Sequence, residues 1–62
     1  MERNITLTMI NDNREEVSIT IIKSEVSYIR EININRSEII MNNGERYIVI
    51  GQARSIFKDL YL

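Results

Sequence analysis

Cysteine, histidine, proline and tryptophan are all missing from this 62-residue chain, and glycine occurs only twice. Without His or Cys, zinc coordination, haem ligation, thiol catalysis and imidazole acid–base chemistry have no residues to use. Disulfides cannot staple the fold, so cysteine usage is silent about compartment. No run of about eighteen apolar residues occurs, and no basic-then-apolar N-terminal segment, so neither a membrane span nor a signal peptide is expected. Charge of one sign is missing too: eight Lys and Arg stand against nine Asp and Glu, for a net charge of −1. No whole-protein field therefore favours nucleic acid or an acidic membrane surface. A cytoplasmic chain is expected, bound to no cofactor and no metal.

What is present is isoleucine, thirteen residues of it, and asparagine, seven. Isoleucine is β-branched and stiff at χ1, which favours strands, while asparagine favours the turns between them. The same bias follows from an AT-rich genome, such as that of low-GC bacteria or their phages. No linker, repeat or low-complexity tract divides the chain, so residues 1–62 are expected to form one domain. Domains near 60 residues bury only about 60% of their unfolded surface, and a partner subunit is the commonest added source of burial.

Alternation marks the strands. Ile5, Leu7 and Met9 alternate with Thr6 and Thr8; Val17, Ile19 and Ile21 alternate with Ser18 and Thr20. A three-residue loop, Asp12-Asn13-Arg14, opposes Met9 to Val17, Leu7 to Ile19 and Ile5 to Ile21. A two-residue loop would put the two apolar rows on opposite faces, because a one-residue slip inverts every side chain. A third strand spans Val26–Ile34. Residues Ile39–Met41 and Tyr47–Ile50 flank Asn42-Asn43-Gly44-Glu45, where Asn-Gly suits a type I′ turn. Centring that turn on Asn43-Gly44 pairs Met41 with Arg46, Ile40 with Tyr47 and Ile39 with Ile48. An Asn35-Arg36 turn places Ile32 opposite Ile39. The chain closes with Ala53, Ile56, Phe57, Leu60 and Tyr61 at helical spacing, one apolar stripe that needs a sheet to dock on.

The expected fold class is thus α+β, mainly β: an antiparallel meander of about five short strands followed by one C-terminal amphipathic helix. One sheet face, carrying Ile5, Leu7, Met9, Val17, Ile19, Ile21, Ile32, Ile39, Ile48 and Ile50, receives the helix. The other carries Thr6, Thr8, Ser18 and Thr20, but also Ile22, Ile29, Ile40, Tyr47 and Val49. A contiguous apolar set there predicts a second buried surface, against a second copy or another protein, unless the sheet curls into a small barrel.

Residues that could carry chemistry are few. Glu15 and Glu16 are adjacent on a strand and point to opposite faces, so they cannot share a proton. Asp12 between Asn11 and Asn13 reads as turn chemistry rather than a calcium loop. Ser24 and Ser37 have only lysines, Lys23 and Lys58, as conceivable activating bases. An enzyme is not expected. Arg30, Arg36 and Arg46 could gather with Tyr28 and Tyr47 as a nucleic-acid surface, but Glu31, Glu38 and Glu45 interleave with them and favour cross-strand ion pairs.

Two stretches resemble known families. Ile29-Arg30-Glu31, Asn43-Gly44-Glu45-Arg46-Tyr47-Ile48-Val49 and the helix from Ala53 resemble the short flagellar-operon family FlbD. Glu25-Val26-Ser27-Tyr28-Ile29 and the same hairpin resemble the core of LytTR-type DNA-binding domains. The resemblance implies a regulatory or accessory protein without catalytic residues. The expectation is a small interaction protein, homo-oligomeric and bound to an unidentified protein through Tyr28, Ile29, Ile40, Tyr47 and Val49. The alternative is a nucleic-acid-binding regulator using Arg30, Arg36 and Arg46.

Overall fold

The computed structural model describes residues 3–62, in which five strands form one antiparallel sheet followed by a single helix. The elements are β1 (Asn4–Ile10), β2 (Glu16–Ile22), a 3₁₀ turn over Lys23–Glu25, β3 (Val26–Asn33), β4 (Arg36–Met41), β5 (Arg46–Ile50) and α1 (Ala53–Tyr61). No helix among the described residues is long and apolar enough to cross a membrane. The first hairpin keeps the register that alternation demands, with Met9 opposite Val17, Leu7 opposite Ile19 and Ile5 opposite Ile21. Its loop closes through Asn11 N–H to the Glu15 carbonyl at 3.0 Å and Arg14 N–H to the Asn11 carbonyl at 2.9 Å. Asn11 Oδ1 also accepts the Asn13 and Glu15 backbone N–H groups, which ties the loop from within.

The strand order is β2-β1-β5-β4-β3, so the sheet is not a simple meander. β1 leaves β2 on one side and takes β5 on the other, at Met9 opposite Val49. Consecutive strands β2 and β3 thereby become the two edges. In a flat sheet they would lie four strand spacings apart, about 19 Å. The chain from Ile22 to Val26 can reach about 14 Å at most, and nearer 8 Å in a 3₁₀ turn. The sheet must curl until its edges converge at this link. Backbone bonds hold the link on both sides: Lys23 N–H to the Arg3 carbonyl and Asn42 N–H to the Glu25 carbonyl, each 2.8 Å.

Curling gives the sheet a concave face, and the core fills it. Ile21, Ile39, Val49 and Leu60 are at most 1% exposed, and Val26, Met41 and Ile56 complete the buried cluster. Ser37 is equally buried and satisfies its hydroxyl by donating to the Gly51 carbonyl at 2.8 Å. The helix packs across β1, β3 and β4, burying Ile56 and Leu60. Phe57, expected in the apolar stripe, instead stands 53% exposed, its ring centroid 4.7 Å from that of Tyr61. The curl encloses one face only, because Tyr28, Ile48 and Ile50 stay exposed on the other.

Two turns differ from expectation; the β4–β5 turn moves side chains across the sheet, and in β3 a register shift beside the turn does so. At Asn42-Asn43-Gly44 the hairpin closes through Met41 and Glu45, as a three-residue loop in which only Gly44 has a positive φ, +92°. A type I′ turn needs positive φ at two residues, whereas this loop needs it at one. Asn43 Oδ1 accepts the Glu45 N–H and stabilises the longer loop. The register accordingly slips by one: Ile40 faces Arg46, Ile39 faces Tyr47 and Glu38 faces Ile48. Tyr47 and Val49 join the concave core, while Ile48 and Ile50 move to the convex face. The β3–β4 turn sits at Ile34-Asn35 rather than Asn35-Arg36, with Asn33 paired to Arg36. A register shift between Glu31 and Asn33 displaces Ile32, so Ile29 rather than Ile32 opposes Ile39 and packs on the core.

The first hairpin holds Arg14 at φ 62°, the position that Gly44 takes in the second. A left-handed backbone costs an L-residue about 1–2 kcal/mol, part of which glycine returns as unfolded-state entropy. Arg14→Gly should therefore raise stability by about 0.5–1 kcal/mol in urea titration. Gly51, at φ +139°, has the Ile56 side chain 3.4 Å from where a Cβ would sit. Gly51→Ala should lower stability by about 1–3 kcal/mol in the same assay.

Candidate interaction surface

Alternation along β3, β4 and β5 sends every second side chain to the convex face. Cross-strand pairing then sets these residues in rows. Tyr28, Ile40 and Arg46 form one row across the three strands; Arg30, Glu38 and Ile48 form the next. Ile40 is only 6% exposed although it lies outside the core cluster, flanked by Tyr28 and Arg46. Around it Tyr28 is 51% exposed, and Ile48 and Ile50 are 39% and 38%.

Glu38 is the polar centre of this face. Burial of a carboxylate is costly unless a cation meets it. The Arg30 guanidinium supplies two bonds to a single Glu38 oxygen, from Nε at 3.0 Å and Nη2 at 2.7 Å. Arg46 Nη1 stands 4.0 Å from the same oxygen. One acid thus hydrogen-bonds Arg30 and attracts Arg46 at longer range, and both arginine side chains remain about 60% exposed. Glu38 was among the acids expected to form cross-strand ion pairs with these arginines, and it pairs with Arg30; that it alone is buried among them was not legible from the sequence. Aligning Ile29 with Ile39 would have placed Arg30 opposite Glu38 and exposed the pair.

Beside this cluster lies a groove of about 760 Å³, between the β1–β2 loop and β4–β5. Arg14, Arg36 and Arg46 line it together with Asp12, Glu16 and Glu38, so its charges balance. The structure brings Arg36 and Arg46 to this groove and ties Arg30 to its rim through Glu38.

Of the five residues expected to bind a partner, Tyr28 and Ile40 lie on the convex face. Val49 is fully buried, and Ile29 and Tyr47 pack against the core. Those three are corrected to the concave side, Tyr47 and Val49 by the one-residue register change and Ile29 by the shifts in β3. Ile48 and Ile50 take their place on the convex side. Among the described residues, no group of three or more Asp and Glu is arranged to hold a metal ion.

Tyr47 sits at the mouth of a second, smaller cavity of about 330 Å³, with Glu25 and Glu45. Its hydroxyl donates to the Glu45 carboxylate. That bond raises its pKa above the usual 10.0, with burial and the negative charges of Glu45 and Glu25 acting the same way. The hydrogen bond therefore supports the fold below about pH 10 and is lost as pH rises through the raised value. Absorbance titration of a Tyr28→Phe/Tyr61→Phe variant should show Tyr47 ionising above pH 10, and Glu45→Gln should bring the midpoint down.

Compared with family models, curated proteins and solved structures, the chain matches none.

Proposed function

We propose that this protein is a non-enzymatic interaction module, a cytoplasmic regulatory or accessory factor of bacterial or phage origin. It works as a homo-oligomer and binds a second protein through its convex face. The observation that carries this reading is the Arg30–Glu38–Arg46 cluster surrounded by Tyr28, Ile48 and Ile50. Exposed tyrosine and arginine beside aliphatic groups are the residue types that anchor protein interfaces. Arg30, already hydrogen-bonded to Glu38, has less rotamer freedom to lose on binding, which favours affinity.

A nucleic-acid reading has one observation in its favour, the meeting of Arg14, Arg36 and Arg46 in one groove. Asp12, Glu16 and Glu38 in the same groove oppose it, since phosphate binding rewards uncompensated cations. Protein binding is the better-supported reading.

The test is affinity capture from nuclease-treated bacterial lysate, with wild type, Tyr28→Asp and Arg36→Ala as baits. A specific protein should be retained by wild type and Arg36→Ala, in high salt as well as low. Tyr28→Asp should weaken binding of that protein about thirtyfold or more, the loss of an interface anchor worth about 2 kcal/mol. Retention that vanishes with nuclease, with salt and with Arg36→Ala would establish the nucleic-acid reading instead.

A further inference from the structure

The two sheet edges are built differently. β3 is irregular, with register shifts between Val26 and Tyr28 and again between Glu31 and Asn33, and it carries Arg30 and Glu31. Bulges and charges of this kind keep an edge from pairing with foreign strands. β2 has neither. It pairs without interruption from Glu16 to Ile22, and its only charge is Glu16 at one tip. Among the described residues no strand lies on its outer side, and Glu16, Val17, Ser18 and Thr20 are exposed.

Which backbone groups face outward follows from the ladder. Asn11 N–H bonds the Glu15 carbonyl, and Lys23 N–H bonds the Arg3 carbonyl. Antiparallel bonding alternates residue by residue, so the odd-numbered residues of β2 bond β1. Glu16, Ser18, Thr20 and Ile22 therefore direct their N–H and C=O groups away from the sheet.

We propose that β2 pairs antiparallel with β2 of a second copy across a two-fold axis at Ile19, making one sheet continuous through both molecules. In this register Ser18 faces Thr20 of the second copy and Glu16 faces Ile22, so every outward donor and acceptor meets its complement. Val17 comes opposite Ile21 of the second copy, covering an apolar side chain that is 39% exposed in the single chain. Charge fits as well: Glu15 lies opposite Lys23 of the second copy at each end, and no like charges meet. A two-fold axis gives a closed dimer, since the same strand serves both copies. The pairing deepens the homo-oligomer reading above by naming its seam, and it leaves the convex groups Tyr28, Arg30 and Arg46 free for another partner.

Light scattering on wild type, Thr20→Pro and Ser18→Lys tests the seam. Proline at position 20 removes only an outward N–H, which an edge strand tolerates. Ser18→Lys places charge on the seam without altering the β1 ladder. Wild type should have twice the 7.3 kDa chain mass. Both variants should keep wild-type circular dichroism and dissociate at least tenfold more readily. The chain has no native cysteine, so Ile19→Cys gives a clean register probe, and mild oxidation should yield a covalent dimer. A monomeric wild type at 100 μM, a dimer indifferent to both folded variants, or no disulfide from Ile19→Cys would each overturn the proposal. Tyr28→Asp should leave the mass unchanged, so failure of the seam and failure of the convex-face reading are distinguishable.

Discussion

The three-residue link Lys23–Glu25 joins the opposite edges of the sheet, and the rest of the structure follows from its shortness. It makes a flat sheet impossible, and so creates one concave face deep enough to close over Ile21, Ile39 and Val49. A chain with no disulfide and few aromatics gains a core by bending rather than by adding a layer. The helix completes that core because its Ile56 and Leu60 enter the concavity across β1, β3 and β4. The convex side is what remains. It is stretched by the curl, and its apolar groups stand apart unless ion pairs fill between them, as Glu38 does with Arg30 and Arg46.

The same curl gives the two edges unequal fates. β3 carries two register shifts, while β2 keeps an unbroken ladder. The irregular pairing thus falls on one edge and leaves the other regular. The regular edge and the convex cluster occupy different parts of the surface, so the proposed pairing of copies leaves the proposed partner face uncovered.

Much of this was legible in the residues. The clean alternation of Ile5–Met9 and Val17–Ile21 defined both the strands and their relative facing, since a one-residue slip would strand one apolar row in water. The helix was visible in the spacing of Ile56 and Leu60. What escaped was set by turn geometry and topology. Asn43-Gly44 offers the residues of a two-residue turn, but Asn43 instead accepts the Glu45 N–H and supports a longer loop. Runs such as Ile39-Ile40 and Ile48-Val49-Ile50 are apolar on both faces, so alternation could not reveal the slip there. The pairing of β1 with β5 has no local signature at all, which is why a meander was the natural expectation. Among the candidate site residues, Tyr28 and Arg30 reach the convex face through the same register shifts in β3 that turn Ile29 inward, and Tyr47 and Val49 turn inward with the β4–β5 turn, so neither outcome could be read from alternation alone.

β1 and β5 share the register pair Met9 with Val49 and lie in contact well beyond it. The molecule is thus a β3–β4–β5 sheet and a β1–β2 hairpin, joined along β1 and β5, by the short link and by the helix lying over both. In kinetic terms these are two units of unequal locality. The β3–β5 sheet has contacts between neighbours in sequence and can form early, whereas docking of the N-terminal hairpin must bring together Met9 and Val49, far apart in the chain. The β1–β5 pairing is accordingly the most non-local of the sheet. The helix, arriving last from the C-terminus and touching both units, is the strap that makes their folding cooperative.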